Sequence, residues 1–395
     1  MSGPRPFTWL LMFTLALTAV LATQLRREEP QLMHVQGPPP VEGPEGELLA
    51  AYHSAREATV RIEARCTEGR VGAVLGVGTG FFVSADGLVM TAYHVVDQNS
   101  NQPCASRLVA VTSNDDEYVL DLVGYDIYMD VATLRAQVDD PVEYLPAAVE
   151  RPRVGDEVVA IGNSRGDFLA ARAGRVTRLG VEAGRADFAS GTIELTNSLA
   201  PGDSGGPVVN SHGEVVGVVS YISFNPSAMS SQEWVPPYLR GTRLPSSYAS
   251  YAVPVLRDGD LFQAVVGGHR RDVPVIGFTW SPGLDYDPSE SPYYLGARPG
   301  PIVDRVQTGG PADRAGLRSM TQERLQGPDG SVRMVPRADV IVAVDGRATP
   351  TFYDLLAEIR NKEIGQTIVL TVQRGSATFG VELTLGARRA VFAVE

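Results

Sequence analysis

The residue best suited to chemistry in this sequence is a serine set among glycines. The stretch Gly202-Asp203-Ser204-Gly205-Gly206-Pro207 lets the backbone turn tightly around Ser204. A serine hydroxyl becomes an effective nucleophile only when a base takes its proton and donors stabilise the oxyanion that forms on the attacked carbonyl. We predict that the N–H groups of Gly202 and Ser204 converge as those donors. The alternative interpretation is an ordinary glycine-rich turn between two strands.

A base for Ser204 has few candidates, because the sequence holds five histidines. His94 follows two apolar runs separated by Asp86-Gly87, a pattern that predicts a β-hairpin. The second strand of that hairpin would deliver His94 to a cleft. We therefore predict that His94 is the general base, and the alternative is a histidine that is hydrogen-bonded in a core.

Two aspartates compete to orient the imidazole of His94, namely Asp126 and Asp130. Asp130 immediately precedes an apolar strand, where its carboxylate can be buried to accept the imidazole N–H. We predict Asp130 for this role and interpret Asp126 as a solvated turn residue. His94, Asp130 and Ser204 would then form a catalytic triad.

Length and composition narrow the function. A chain of 395 residues predicts two to three domains. The formal net charge of −12, without any basic block, argues against nucleic acid as a partner. The two cysteines show no metal-ligand spacing and histidines are few, so we predict neither a metal nor a cofactor.

The amino-terminal part has the character of an export segment. Residues 7–25 are uncharged and mostly apolar, so residues 1–27 are predicted to be a signal peptide, with a cleavage site near Ala22, or a retained membrane anchor, which we slightly favour. Residues 28–46 are rich in proline and glycine and predict a semi-extended linker. In an exported protein Cys66 and Cys104 could form a disulfide, and two unpaired buried thiols are the alternative.

The remaining pattern predicts β-barrels. After a short helical pattern from Glu47, the chain shows many short strands separated by turn residues and few helices, which is typical of antiparallel barrels. One barrel would carry His94 and Asp130 and a second, ending near Val255, would carry Ser204. The triad would then lie between the two barrels.

Several motifs, in order, resemble those of the HtrA (Deg) serine proteases. They are Gly78–Val83, the stretch around His94, Ala160–Asn163, Ala200–Pro207 and Tyr251–Pro254. The resemblance implies a mainly β fold: two antiparallel six-stranded, chymotrypsin-like barrels at 47–266, then a small α+β PDZ domain at 267–389. The layout is most similar to the membrane-anchored, single-PDZ stress sensors of that family.

The carboxy-terminal part carries the PDZ resemblance. Val275, Ile276, Gly277 and Phe278 resemble the loop that binds a peptide carboxylate. Thr349-Pro350 predicts the start of a helix whose Phe352 and Leu355 would contact the last side chain of the peptide. Two segments are longer than their counterparts in the family, and we interpret them as added surface loops: residues 318–338 and residues 224–247.

The resemblance also implies a substrate pocket. Its base would be Ser198, which carries no carboxylate to pair with a basic side chain. The other residues assigned to the pocket are Leu199, Ser220, Tyr221 and Ile222. A branched side chain at Ile222 predicts a shallow apolar pocket for small aliphatic residues; alternatively, Ile222 points away and the pocket accepts aromatic residues.

The sequence therefore predicts an exported, periplasmic serine endopeptidase that acts in protein quality control or the envelope stress response. Its substrates would be unfolded or regulatory proteins, and its PDZ domain would bind peptide C-termini. The resemblance implies a homotrimer formed through the region before the first barrel, and an uncleaved amino-terminal segment would add membrane attachment. The alternative is a peptide-binding or chaperone-like protein on a weakly active or inactive protease scaffold.

Overall fold

The computed structural model describes residues 43–97, 104–181, 191–224, 248–280, 284–326 and 331–392, with the backbone alone at 221–224, 248 and 249. The predicted export segment (1–27), almost all of the linker (28–46) and most of the predicted loop at 224–247 lie outside these ranges. Within the described ranges, no helix is both long and apolar enough to cross a bilayer.

Residues 46–136 form the first barrel and the helices attached to it. Helix α1 spans Gly46–Glu57 and the short helix α2 spans Tyr93–Val96. The strands are β1 (Thr59–Cys66), β2 (Val74–Phe82), β3 (Leu88–Ala92), β4 (Ser106–Val111), β5 (Glu117–Asp126) and β6 (Val131–Ala136). They pair antiparallel in the order β1-β2-β3-β6-β5-β4, and β4 returns to β1 to close the barrel.

The second barrel is also closed and antiparallel. Its strands are β7 (Glu157–Gly162), β8 (Ala170–Val181), β9 (Thr192–Leu195), β10 (Pro207–Val209), β11 (Val215–Phe224) and β12 (Tyr248–Pro254), in the order β10-β11-β12-β9-β8-β7. Helix α3 (Asp260–Val266) follows. The predicted fold class, with two six-stranded barrels, is confirmed.

The first barrel explains how His94 is presented. Asp86 and Gly87 turn the chain between β2 and β3, with Gly87 in the left-handed region at φ +86°. Strand β3 is buried along its whole length, so its end is fixed in the barrel wall. His94 follows directly in α2, at the rim of the barrel.

The PDZ region has three short helices and a separate core. The helices are α4 (Pro311–Arg314), α5 (Phe352–Arg360) and α6 (Arg388–Val391). The strands are β13 (Arg270–Arg271), β14 (Pro274–Val275), β15 (Phe278–Thr279), β16 (Asp285–Tyr286), β17 (Gly300–Pro301), β18 (Arg305–Val306), β19 (Thr321–Gln326), β20 (Val332–Arg337), β21 (Asp339–Val344), β22 (Arg347–Ala348), β23 (Thr367–Arg374), β24 (Ala377–Thr384) and β25 (Gly386–Ala387). Strands β22-β21-β23-β24 form the main sheet, and its buried residues pack on Leu355 and Ile359 of α5.

Strand β13 pairs with the first barrel instead of with the PDZ sheets. Arg270 and Arg271 lie parallel to Tyr125 and Asp126 of β5, although they follow the predicted domain boundary at 266. The short segment that leads into the carboxy-terminal region therefore covers the edge of β5 at Tyr125 and Asp126, where β4 does not pair.

The structure differs from two local predictions in this region. The helix after Thr349-Pro350 begins at Phe352, because Thr351 is its N-cap and forms a capping box with Asp354. The 318–338 segment, interpreted as a surface loop, contains the exposed hairpin β19–β20, which pairs Thr321 with Arg337 and Gln326 with Val332.

A disulfide ties the end of β1 to the segment before β4. Cys66 and Cys104 are bonded, with their Cα atoms 5.7 Å apart and a separation of 38 positions in sequence. The two open possibilities for these cysteines are therefore resolved in favour of the disulfide. The bond closes the loop that contains β2, β3 and α2. It therefore stabilises the strands that position His94.

We expect reduction of this disulfide to destabilise the first barrel. If the bond acts by lowering the entropy of the unfolded chain, closing a loop of this length raises the free energy of unfolding by up to about 4 kcal/mol. The measurement is urea unfolding of the oxidised protein beside the Cys66→Ser/Cys104→Ser variant, with the reduced wild-type protein as control. Unfolding midpoints that coincide for all three would contradict a stabilising role of the bond.

Candidate active site

His94 and Asp130 are brought together at the rim of the first barrel. His94 Nδ1 lies 2.8 Å from Asp130 Oδ2, and the backbone N–H of His94 donates to Asp130 Oδ1 at 2.9 Å. The Asp130 side chain is 5% exposed and that of His94 is 45% exposed. The carboxylate therefore fixes both the ring and the backbone of a histidine whose other face is open to solvent.

Asp130 itself is held by its neighbours. The backbone N–H of Tyr93 donates to the carbonyl of Asp130 at 3.0 Å, and the hydroxyl of Ser220 donates to Asp130 Oδ2 at 2.5 Å. Asp130 adopts a left-handed conformation at φ +53°, which turns its side chain back towards His94. Since Ser220 lies on β11, this carboxylate joins the first barrel to the second.

Asp126, the alternative carboxylate, is engaged elsewhere. Its Oδ1 accepts the backbone N–H of Met129 at 3.0 Å, and its Oδ2 lies 3.4 Å from Arg271 Nη1. Asp126 is only 7% exposed, so its description as a solvated turn residue was wrong. Its carboxylate stabilises the β5–β6 turn and the start of the segment that leads to the PDZ domain.

The Ser204 loop is fixed against the first barrel by Thr79. The backbone N–H of Thr79 donates to the carbonyl of Ser204 at 2.8 Å, and its hydroxyl donates to the carbonyl of Gly202 at 2.7 Å. The Ser204 hydroxyl donates to the carbonyl of Ser220 at 3.5 Å. Because Thr79 binds the carbonyls of Gly202 and Ser204, the peptide planes 202–203 and 204–205 are constrained.

Glycine is required at Gly205 by both conformation and space. Its φ of +84° lies in the left-handed region, and a Cβ there would come within 2.0 Å of Thr91 Oγ1 and 2.2 Å of the Thr79 carbonyl. The loop can therefore approach β2 and β3 this closely only without a side chain at Gly205. This contact brings Ser204 to the interface between the two barrels.

The predicted pocket residues divide into three groups. Ser198 accepts a hydrogen bond from Arg165 Nη2 at 3.0 Å. Leu199 is 1% exposed and packs in the core of the second barrel instead of lining an open pocket, and Ser220 is buried with its hydroxyl on Asp130. The side chains of Tyr221 and Ile222 lie outside the described residues, so the predicted pocket stays a prediction there.

The predicted peptide-binding residues line one groove of the PDZ region. A cavity of about 280 Å³ is lined by Val275, Ile276, Gly277, Phe278, Phe352 and Leu355 together with Trp280 and Arg388. Gly277 has a φ of +90°, which produces the sharp turn between β14 and β15. The Trp280 ring stacks on Phe352 with centroids 4.3 Å apart, so the groove has an aromatic side wall.

The groove reaches the peptidase domain. Arg388 of α6 pairs with Asp97, the residue that follows α2, and both residues line the groove. Arg389 Nη1 donates to the Tyr93 hydroxyl at 3.4 Å. Burial raises the pKa of Tyr93 well above its usual range, so the hydroxyl stays neutral. The helix that carries His94 thus contacts the PDZ domain at both of its ends.

No site for a metal is apparent in the residues that the structure describes, because none of their His, Cys, Asp and Glu side chains form a group of three or more that could hold one. The structure brings together His94 and Asp130, with Ser220 in contact with Asp130 and Ser204 on the adjoining loop.

Comparison with known families matches residues 78–218 to the trypsin-like peptidase domain and residues 274–385 to the PDZ domain. The putative serine protease HhoB of Synechocystis sp. is 26% identical over 312 residues, which cover 76% of this chain and 64% of that protein. Protease Do-like 1, chloroplastic, of Arabidopsis thaliana is 28% identical over 319 residues, or 78% of this chain and 63% of that protein.

Two further proteins are similar to this chain. A probable periplasmic serine endoprotease DegP-like of Marinomonas sp. is 30% identical over 245 residues, covering 62% of this chain and 46% of that protein. The crystal structure of the serine endoprotease from Yersinia pestis covers 88% of this chain and 99% of that chain, at 21% identity and a TM-score of 0.44. The present chain thus spans 46% to 64% of the length of the three named relatives.

Residues 78–218 therefore carry a trypsin-like peptidase domain, which is built as the two barrels described above. A PDZ domain follows at residues 274–385. The three relatives are named as a serine protease, a Do-like protease and a DegP-like serine endoprotease, in agreement with the resemblance of the sequence motifs to the HtrA (Deg) serine proteases.

Several residues at the site were not identified from the sequence alone. Thr79 and Asn163 lie within motifs that carry the resemblance, yet only the structure shows that Asn163 Nδ2 donates to Thr79 Oγ1 at 2.9 Å. Ser220 was assigned to the substrate pocket, whereas its hydroxyl contacts Asp130. A threonine or serine in a strand gives no local signal of a partner that lies more than 80 residues away in sequence.

Proposed function

We propose that the protein is an exported serine endopeptidase in which His94, Asp130 and Ser204 form the catalytic triad. The observation that carries this proposal is the contact between His94 and Asp130. The imidazole Nδ1 faces a buried carboxylate, which leaves Nε2 as the nitrogen able to accept a proton. The adjoining Ser204 loop, held by Thr79, supplies the hydroxyl.

In the proposed reaction, Ser204 Oγ attacks the carbonyl carbon of the scissile bond while His94 accepts its proton. Asp130 holds the ring tautomer and stabilises the imidazolium that forms. The N–H groups of Gly202 and Ser204 donate to the oxyanion. His94 then returns the proton to the leaving amine, and water, activated by the same ring, hydrolyses the acyl-enzyme.

We further propose that the substrates are unfolded or regulatory proteins in the periplasm. The name of the Marinomonas relative, a probable periplasmic endoprotease, supports export, and so does the disulfide, which persists in oxidising compartments. The homotrimer, the retained membrane anchor and the stress-sensing role remain predictions from the resemblance.

The pocket for the residue before the scissile bond is proposed to accept small aliphatic side chains. Ser198 supplies no negative charge, and its hydroxyl contacts Arg165, which would oppose a basic side chain. Missing or extra methylene groups change binding by only about 1–3 kcal/mol each. Selectivity would therefore be loose, as degradation of unfolded chains requires.

The PDZ groove is proposed to bind peptide C-termini. An extended peptide would add beside β15, with its carboxylate at the turn formed by Ile276 and Gly277. Its last side chain would lie against Phe352 and Leu355 of α5. The cavity between these elements supports this arrangement, because it is lined by β15 and is apolar where the side chain would rest, at Phe352 and Leu355.

Loss of a triad residue should abolish cleavage. We expect Ser204→Ala, and separately Asp130→Asn, to reduce the turnover of unfolded casein by about 10⁴-fold. The matched control is Asp126→Asn, which changes a buried carboxylate 4 positions away whose oxygens contact Met129 and Arg271. Near-wild-type turnover in Asp130→Asn, with loss in Asp126→Asn, would show that the carboxylate was assigned wrongly.

Sequencing of the casein fragments tests the pocket. We expect most cuts to follow valine, alanine or other small aliphatic residues, because no carboxylate stands at Ser198. Ile222→Gly should broaden the cleavage towards larger side chains. A majority of cuts after lysine, arginine, phenylalanine or tyrosine would refute the small apolar pocket while leaving the triad intact.

A matched pair of peptides tests the PDZ groove. A dye-labelled peptide selected from a library of free C-termini should bind with a measurable anisotropy change, and the same peptide with an amidated C-terminus should bind at least about tenfold more weakly. Leu355→Asp should weaken the free acid as well. Equal affinity of both peptides would exclude carboxylate recognition.

A further inference from the structure

Beneath the Ser204 loop lies a buried ion pair that takes no part in the proposed chemistry. Asp203 is fully buried, and Arg172 on β8 is 5% exposed. Arg172 Nε lies 3.9 Å from Asp203 Oδ2. Within the described ranges, Arg172 is the one cation that comes within 4.0 Å of this carboxylate.

The Asp203 carboxylate is closely enclosed. Its Oδ1 accepts the backbone N–H of Ser164 at 3.0 Å, and its Oδ2 accepts that of Ala200 at 3.0 Å. A Cβ on Gly162 would come within 2.2 Å of Oδ1, so the carboxylate occupies space that a glycine leaves open. Asp203 thereby ties the Ser204 loop to the turn that follows β7.

Arg172 is oriented by the same turn. Its Nη2 donates to Asp167 Oδ2 at 2.7 Å and to Ser164 Oγ at 3.2 Å. Its Nε is buried and makes no hydrogen bond, although it is the nitrogen nearest to Asp203. The guanidinium therefore faces the Asp203 carboxylate mainly as a charge, while its outer nitrogen is anchored near the surface.

A buried carboxylate without a compensating charge takes up a proton or moves towards water. Burial raises the pKa of Asp203, whereas the donors from Ser164 and Ala200 and the positive charge of Arg172 act in the opposite direction. Asp203 lies between Gly202 and Ser204 in sequence, so any movement of its backbone also moves the two proposed oxyanion donors.

We propose that Arg172 is a positioning residue of the peptidase, whose buried guanidinium neutralises Asp203 and so holds Gly202 and Ser204 in the geometry that stabilises the oxyanion. This inference rests on the proposed peptidase function. Arg172 itself does not touch the substrate. Its contribution acts through Asp203, and it therefore appears in turnover more than in substrate binding.

The first test is Arg172→Met, which keeps much of the side-chain length and removes the charge. With a reporter peptide taken from the sequenced casein fragments, we expect kcat to fall about 10²-fold near pH 8 with KM changed by less than about threefold. Arg175→Met is the matched control, because Arg175 also lies on β8 but is 58% exposed and pairs with Glu157 at the surface. It should leave kcat unchanged.

The pH dependence separates an electrostatic role from a merely structural one. In Arg172→Met, a protonated Asp203 can stay buried, whereas an ionised one cannot. The ratio of variant to wild-type kcat should therefore be closest to one near pH 5.5 and fall as the pH rises through the carboxyl pKa. A loss of kcat that is the same across this range would contradict the proposal.

Two further variants cover the case in which Arg172→Met does not fold. Arg172→Met/Asp203→Asn removes both charges, so we expect this double variant to fold. Its kcat should be at least about tenfold higher than that of Arg172→Met, and its pH dependence should match that of the wild type. Arg172→Lys keeps the cation and should stay within about fivefold of wild type. A double variant without recovery, or a lysine variant as inactive as the methionine variant, would overturn the proposal.

The activity of the wild-type protein distinguishes a failure of this inference from a failure of the proposed peptidase function. If wild type and Ser204→Ala release casein fragments at the same rate, the peptidase function itself fails. If wild type is active and Arg172→Met matches it in kcat at every pH, only the role of Arg172 fails.

Discussion

Burial of the Asp130 carboxylate is the constraint on which the catalytic arrangement depends. An ionised carboxylate is tolerated away from water only when donors satisfy its oxygens. Here the donors come from the His94 backbone and ring and from the Ser220 hydroxyl. The left-handed backbone of Asp130 costs about 1–3 kcal/mol, which hydrogen bonds to a charged group, worth about 1.5–3 kcal/mol each, can offset. Satisfying one carboxylate thus fixes a histidine and a strand of the other barrel together.

The same region joins the peptidase to the PDZ domain by polar and aromatic contacts. The Tyr128 hydroxyl, two positions before Asp130, donates to the carbonyl of Arg360 in α5 at 3.2 Å, and Arg271 lies 4.4 Å from the centre of its ring. Arg388 and Arg389 hold the two ends of α2. Exposed ion pairs contribute up to about 1 kcal/mol each. Apolar contacts add to them, because Val273 is buried in the core of the first barrel and Val275 packs against it.

Much of this site could be predicted from the sequence because its signals are local. A glycine-rich loop, a histidine after a hairpin and an aspartate before an apolar strand each report on a few neighbouring residues. The barrels followed from the spacing of short strands. The supporting partners could not be predicted, since Thr79, Arg172 and Ser220 act on residues that are distant in sequence and show no pattern of their own.

The errors have equally physical causes. Asp126 was described as solvated because it stands beside a turn, yet Arg271, 145 positions later, covers it. Leu199 was assigned to an apolar pocket through the resemblance, whereas its side chain packs in the core of the second barrel. Thr349-Pro350 was predicted to begin a helix, but the capping box at Thr351 and Asp354 determines where the helix begins.

The parallel pairing of β13 with β5 affects how the molecule can be synthesised and divided. Arg270 and Arg271 complete an edge of the first barrel, yet they leave the ribosome only after the entire second barrel has been made. In a nascent first barrel, the edge of Tyr125 and Asp126 that β4 does not pair therefore stays uncovered until β13 is made, and an unpaired strand edge is the kind of surface that chaperones protect. By the same reasoning, a fragment cut at residue 266 would separate Asp126 from its arginine, so the natural place to cut this chain lies beyond β13.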